Sequence, residues 1–336
     1  MKKLKRIFAV FFCLLLAAGI LGGCGKAASS SAPAPSALQS GNKPLKIVTT
    51  IFPEYDWVRE ILGDKADHAE VTMLLDNGVD LHSYQPTADD IIKISDCDLF
   101  LYVGGESDGW VEDALKEATN QNMKVINLLD VLGEQVKEEE VVEGMEAEEE
   151  ESEDENEPEY DEHVWLSLKN AETLCNAITD ALEEIDPANK DAYATNAASY
   201  LEKLAALDGE YQTVVDNAAR KTVLFGDRFP FRYLVDDYGL SYYAAFAGCS
   251  AETEASFGTI SFLAGKVDEL RLSCVLTIEG AQHKIAETIV QNTAEKNQSI
   301  LTLDSMQSTT STDVANGTTY LSVMESNLDV LKQALN

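Results

Sequence analysis

The strongest constraint in this sequence is an order of short β-rich runs and longer helical ones, written twice with one long helical stretch between. Residues 45–51, Leu-Lys-Ile-Val-Thr-Thr-Ile, read as a strand buried on both faces, and residues 55–62 as the start of a helix. Further strands are expected at 69–75, 99–103 and 124–128, with helices at 87–94 and 110–119 between them. The second half repeats the order, with strands at 222–225, 241–245, 274–278 and 300–303 and a last helix at 320–335. Strands alternating with helices imply parallel sheets covered by helices, an α/β fold. The repeat is one of architecture, without a matching repeat of sequence.

The stretch between the halves fixes the layout. Asp186 is expected to cap a helix and Pro187 to occupy its first turn, where a missing N–H costs little. Tyr193, Ala197, Tyr200, Leu204, Leu207, Tyr211 and Val214 then recur at spacings of three and four. A helix over 187–219 would be about 50 Å long, enough to run as a stiff backbone across two lobes. The expected organisation is an N-terminal α/β lobe at 44–185, a connecting helix at 186–220 and a C-terminal α/β lobe at 221–336, with a cleft between the lobes.

The first residues speak of export. Lys2, Lys3, Lys5 and Arg6 precede an apolar run from Ile7 to Leu21, shorter than the about 20 residues a membrane span requires. Leu21-Gly22-Gly23-Cys24 resembles a bacterial lipobox, which would make 1–23 a signal peptide and Cys24 a lipidated mature N-terminus. The plainer alternative is an ordinary cleaved signal with a chance cysteine. Acyl chains on Cys24 would anchor the protein to the cell membrane on its extracytoplasmic face. Residues 24–43, rich in Ala, Ser and Pro, read as a flexible tether. About 310 residues then remain, enough for two ordinary domains.

The formal net charge is −34, and much of it is local: residues 138–162 hold sixteen Asp or Glu and no Lys or Arg. Such a balance argues against nucleic acid and for cations as partners. The tract itself is expected to be disordered or weakly ordered. Cys97, Cys175, Cys249 and Cys274 show no CxxC spacing, so a thiolate zinc cluster is not expected. A Cys249–Cys274 disulfide and buried free thiols are both open readings.

The chain has four histidines. His82 lies in Asp80-Leu81-His82-Ser83-Tyr84-Gln85-Pro86-Thr87, after an expected strand, and His163 in Asp161-Glu162-His163-Val164-Trp165-Leu166, before a helix. Loops at the carboxyl ends of parallel strands gather ligands, and Asp227, Glu279 and Asp304 occupy other strand ends. Two imidazoles with carboxylates suit zinc, and also manganese or iron. His68 reads as a surface group.

These segments resemble the ABC-transporter substrate-binding proteins that capture zinc or manganese. His82-Ser83-Tyr84-Gln85-Pro86-Thr87 is similar to that family's first ligand loop, and Asp161-Glu162-His163-Val164-Trp165-Leu166 to its second, with Glu162 in place of Pro. Leu301-Thr302-Leu303-Asp304-Ser305 stands where the family carries a ligand Asp, and Gly317-Thr318-Thr319-Tyr320 opens a similar closing helix. The resemblance covers 45–336. It implies a metal cleft between lobes, zinc as the transported ion with manganese as the alternative, and His82, His163 and Asp304 as ligands. It also implies a monomer that delivers its ion to an ABC permease and its ATPase.

One departure stands out. Relatives usually carry a third His, or a Glu, after the first strand of the second lobe; here Phe225-Gly226-Asp227-Arg228 puts Gly226 in that place. Asp227 is the first candidate replacement, with Glu279, His283 or a water behind it. Against this, Asp227 could pair with Arg228 or Arg232. The expected site is thus richer in oxygen than zinc prefers. The mobile acidic loop has a family parallel too, and weak cation recruitment competes there with a merely solvated insertion. A zinc hydrolase is disfavoured because no HExxH motif is present; a surface adhesin is a further class. The expected role is capture, not catalysis.

Overall fold

Strand β1 (Leu45–Thr49) forms the interior of the first sheet because Ile47 and Val48 pack on both its faces. The computed structural model describes residues 43–146, 159–250, 254–280 and 282–336. The signal segment, Cys24 and the tether lie outside the described residues, as does 147–158 of the acidic tract. Strand β2 (Ala69–Met73) pairs in parallel with one edge of β1, and β3 (Leu99–Tyr102) with the other. Strand β4 (Lys124–Asn127) pairs in parallel with β3, giving the order β2-β1-β3-β4.

Helices α1 (Phe52–Leu62), α2 (Ala88–Ser95) and α3 (Val111–Lys116) join these strands, as parallel pairing requires. Helix α1 buries Trp57, Val58 and Ile61 and ends at Gly63, whose φ of 55° suits glycine. The short α4 (Leu128–Leu132) follows β4. Helix α5 (Leu168–Ile185) is capped by Ser167, whose side chain accepts the Asn170 N–H.

The long helix is shorter than the spacing suggests. Helix α5 stops at Ile185, and α6 (Lys190–Asp216) begins after a turn at 186–189, so its 27 residues span about 40 Å. The residue before a proline is biased away from the helical region, and Asp186 has φ −133° and ψ 69°. Its carboxylate accepts hydrogen bonds from Asn189 Nδ2 and Tyr193 Oη, both at 2.7 Å, instead of capping backbone. Tyr193, Ala197, Tyr200, Leu204, Leu207 and Tyr211 are buried as their spacing demands, and Val215 rather than Val214 completes the row. Burying each leucine contributes about 2 kcal/mol.

The second half begins with β5 (Thr222–Leu224). It continues through β6 (Arg228–Phe229), α7 (Arg232–Tyr238), β7 (Ser241–Tyr243) and β8 (Phe246–Ala247). Helix α8 (Phe257–Leu270), β9 (Cys274–Thr277), α9 (Lys284–Asn292) and β10 (Ser299–Thr302) follow. The chain closes with α10 (Ser311–Ala315) and α11 (Tyr320–Ala334). Strands β5 and β7 pair in parallel, as do β9 and β10, and a Phe225–Leu276 bridge links the two pairs. The small parallel pair β6–β8 has no counterpart in the sequence expectation.

The halves share one hydrophobic core. It runs from Ile47 through the α6 row to Leu335, and a smaller cluster around Leu263, Val267 and Ile289 lies wholly in the second half. Tyr211 of α6 donates to the Met324 carbonyl in α11 at 2.6 Å, fastening the two helices. The ends of the acidic tract are tied into the fold. Glu138 bridges Tyr160, and Asp161 N–H donates to the Lys137 carbonyl. Among the described residues no helix is long and apolar enough to cross a membrane.

Candidate metal centre

His82 stands in the loop after β2, at the carboxyl edge of the first sheet. Asp80 caps a single 3-10 turn over Leu81–Ser83, its Oδ1 accepting the His82 N–H at 3.0 Å. Leu81 is buried beneath. Tyr84 donates its hydroxyl to Asp90, and Thr87 caps α2 by accepting the Asp90 N–H while donating its own hydroxyl to the same carboxylate. The motif around His82 is therefore a built turn, with one residue for the site and its neighbours for the scaffold.

His163 follows the acidic tract and precedes the 3-10 turn Val164–Leu166. Asp161, itself buried, accepts both the His163 N–H at 2.9 Å and Nδ1–H at 3.0 Å. That bond makes Nδ1 the donor and leaves Nε2 facing His82. Trp165 Nε1 donates to the Ser305 carbonyl, and Tyr320 Oη to the Trp165 carbonyl, fastening this loop to the second half.

The structure brings the two histidines together. His82 Nε2 and His163 Nε2 are 3.1 Å apart. His82 Nδ1 lies 2.8 Å from Ser107 Oγ and 3.4 Å from Glu162 Oε2. Both rings are thus held by the far nitrogen, and both turn the near nitrogen toward one point. Burial and the neighbouring His163 charge push His82 down to about 3, so it is neutral in ordinary conditions. Burial opposes charge on His163 as well, but the Asp161 charge and hydrogen bond outweigh it and raise its pKa.

Glu162, standing where the resemblance leads one to expect Pro, accepts the Ser107 N–H at 2.9 Å through Oε1. It fits because Gly105, at φ 81°, has no Cβ: one would lie 2.3 Å from that oxygen. Its Oε2 is buried without a hydrogen-bond partner, and burial raises its pKa despite the Ser107 bond. A cavity of about 270 Å³ opens here, lined by His82, Glu106, Glu139, Glu159, Glu162 and Cys249 among others.

The second half meets the imidazoles with a sulfur atom. One ring nitrogen from each of His82 and His163 and the Sγ of Cys249 lie within 4.8 Å of one another, the group of potential metal donors among the described residues. No carboxylate belongs to it, where the sequence suggests two. Asp227 Oδ1 accepts the Arg228 N–H at 3.0 Å and Oδ2 the Ile278 N–H at 3.4 Å. Glu279 accepts from Ser305 and from the Gln307 and Ser308 N–H groups, organising that loop. Asp304 Oδ1 accepts the Met306 N–H at 2.8 Å, and burial beside Glu279 pushes it up to about 6. His283 precedes α9, and His68 is exposed.

Gly226, where the resemblance leads one to expect a ligand, has a packing reason to be glycine. A Cβ there would lie 2.6 Å from the Ala286 Cα of α9, so the helix leaves no room for any side chain. The arginines expected as partners of Asp227 pair elsewhere: Arg228 Nη2 is 2.6 Å from Asp80 Oδ2, reaching from the second half to the residue that shapes the His82 turn. Arg232 pairs with Glu140 at 3.1 Å. Cys97, Cys175, Cys249 and Cys274 are all free, so the disulfide reading of Cys249 with Cys274 is not what the structure has. Sequence reasoning passed over Cys249 as a donor because it looked for clustered cysteines; the signal was a Gly-Cys pair after a strand.

An α/β scaffold that gathers two imidazoles and a thiol at strand ends has the donor chemistry of a metal-binding protein. The chain belongs to the family of zinc-uptake complex component A, periplasmic (ZnuA), whose profile matches residues 47–334. It is 33% identical over 290 residues to the zinc-binding lipoprotein AdcA of Streptococcus pneumoniae, covering 86% of this chain but 55% of that protein. It is 32% identical over 337 residues to the high-affinity zinc uptake system protein ZnuA of Bacillus subtilis, covering 99% and 98%. The Zn(II)-bound crystal structure of the ZnuA-like domain of S. pneumoniae AdcA superposes with a TM-score of 0.67 at 30% identity, over 87% of this chain and 99% of that one. The chain thus spans about half the length of AdcA and nearly all of the B. subtilis relative.

Proposed function

We propose that this protein captures a zinc ion outside the cytoplasm and hands it to an ABC permease and its ATPase, acting as a carrier and not as an enzyme. The observation that carries this is the pair of imidazole nitrogens held 3.1 Å apart, each with its other nitrogen engaged. Tetrahedral zinc with Zn–N bonds of about 2.0–2.1 Å separates two such nitrogens by about 3.3 Å. The pair therefore needs almost no rearrangement. His82 and His163 are the ligands on this reading, and Asp304 is the oxygen donor that a closing motion adds. Asp227 would have to release both backbone N–H groups to join them.

Zinc is preferred over manganese because nitrogen donors suit it, and because relatives along most of the chain carry zinc in their names. The lipobox-like Cys24 supports anchoring to the outer face of the cell membrane, in keeping with a relative named a lipoprotein. Release follows from the division of donors, since a permease that separates the loop of Asp304 from the two histidines removes one donor.

The test is metal analysis and competition titration of the chain isolated from membranes in mild detergent. The same measurements are made on His82→Ala, His163→Ala, Asp227→Ala and Asp304→Ala. Submicromolar zinc affinity lost with either histidine is the expected result; no transition-metal binding by the unaltered chain would end this reading.

A further inference from the structure

The turn after β8 brings a cysteine beside the two histidines. We propose that Cys249 is a zinc ligand, its sulfur joining His82 and His163 in a nitrogen–nitrogen–sulfur clasp; this rests on the metal-capture reading above. The three donor atoms already lie within 4.8 Å of one another. A tetrahedral zinc ion with a Zn–S bond of about 2.3 Å sets sulfur about 3.6 Å from each nitrogen, so Sγ has on the order of 1 Å to travel. A small side-chain or loop adjustment supplies that.

The chain around Cys249 is shaped for this approach. Gly248 packs against His163 so closely that a Cβ would stand 3.1 Å from the ring Nδ1 and Cε1 and 2.9 Å from the Phe229 carbonyl oxygen. Glycine at 248 is what lets the backbone pass the imidazole and present the next side chain beside it. The Cys249 N–H donates to Glu139 Oε1 at 3.0 Å, and the following carbonyl, of Ser250, accepts from Arg228 Nη1 at 3.3 Å. Both flanks of the residue are thereby fixed. Its thiol is free of any disulfide and lines the same cavity as His82 and Glu162. By contrast Cys97 is fully buried with its sulfur 3.3 Å from Met123 Sδ, and Cys175 lies in the core.

Binding exchanges one partner of the sulfur for another. The S–H bond breaks, the sulfur lone pair goes to the ion, and one proton leaves to solvent for each ion bound. A thiolate is a soft donor, so its presence shifts selectivity toward zinc and cadmium and away from manganese. That is the opposite of what an oxygen-rich replacement at Asp227 would do.

Cobalt(II) loaded into the detergent-isolated chain is the probe. Sulfur-to-cobalt charge-transfer absorption in the near ultraviolet is expected, and it should vanish in Cys249→Ser while cobalt still binds. Zinc affinity of that variant should fall by more than about 100-fold, beyond the usual cost of losing a ligand's hydrogen-bond partner. X-ray absorption of the zinc-loaded unaltered chain needs no variant and should show one Zn–S distance near 2.3 Å. Cobalt bound without the sulfur band, a band that survives Cys249→Ser, or a zinc shell of nitrogen and oxygen alone would each overturn the assignment while leaving metal capture standing. No metal binding at all would overturn both.

Discussion

The loops after β2 and β4 hold each histidine by one ring nitrogen and turn the other toward its partner imidazole, whereas the loops of the second half commit their carboxylates to backbone N–H groups. His163 is fixed by Asp161, and His82 by Ser107. Asp227 and Glu279, which sequence position would put forward as donors, instead tie strand ends and turns together. The comparison teaches that standing at a strand end does not make a residue a ligand. What matters is whether its polar atoms remain uncommitted after the local backbone has been satisfied, because a buried N–H left without an acceptor costs about 1–3 kcal/mol.

The largest test of this contrast is removal of either histidine. His82→Ala and His163→Ala should each weaken zinc by more than about 100-fold in competition titration, beyond the loss expected from any supporting group. Asp227→Ala should cost far less, and an equal loss there would break the comparison.

Next comes the support of His163. Asp161→Asn should weaken zinc by about 10–100-fold, as loss of a carboxylate behind a ligand histidine does. The sign of its pH effect follows from the direction of the shift. Asp161 raises the His163 pKa, and the ion needs neutral imidazole, so affinity should fall with decreasing pH from a point above the ordinary imidazole value. The Asn variant should move that fall to lower pH. An unchanged midpoint in titrations across the acid range would show that another group governs it.

A third test places a histidine where the resemblance leads one to expect it. Gly226→His should lower stability by about 1–3 kcal/mol in denaturant unfolding, an overpacking cost, because any Cβ there meets the α9 backbone. It should not tighten zinc. Tighter binding with intact stability would show that α9 yields to the added side chain.

A last test concerns a carboxylate of the first half. Glu54 is buried, accepts from the Thr50 and Ile51 N–H groups, and leaves Oε1 unpartnered. Burial, and then the charge of Asp108, push it up to about 8. Its folded-state pKa is raised, so the associated stability is full below the ordinary carboxylate value and is lost as pH rises through about 8. Glu54→Gln should flatten that decline in thermal unfolding followed against pH.

Much of the scaffold was legible in the residues. Short apolar runs mark β1, β3 and β9, and the spacing of Tyr193, Tyr200, Leu204 and Tyr211 marks the buried face of α6, because burial and periodicity are local properties. The break at 186–189 was misread because a capping Asp and a first-turn Pro look the same whether or not another helix ends just before them. The pair β6–β8 is too short for any period to show.

For the site, the sequence by itself determined the two histidine turns. Asp80 and Asp161 lie two positions before the histidines whose backbone N–H groups they accept, and so near a neighbour is written in the chain. Only the tertiary structure decided the rest. It set the 3.1 Å between rings 81 residues apart, the Ala286 backbone that forbids a side chain at 226, and the Gly248 contact that brings Cys249 to His163. Those follow from how one sheet packs against another, and no spacing along the chain encodes that packing.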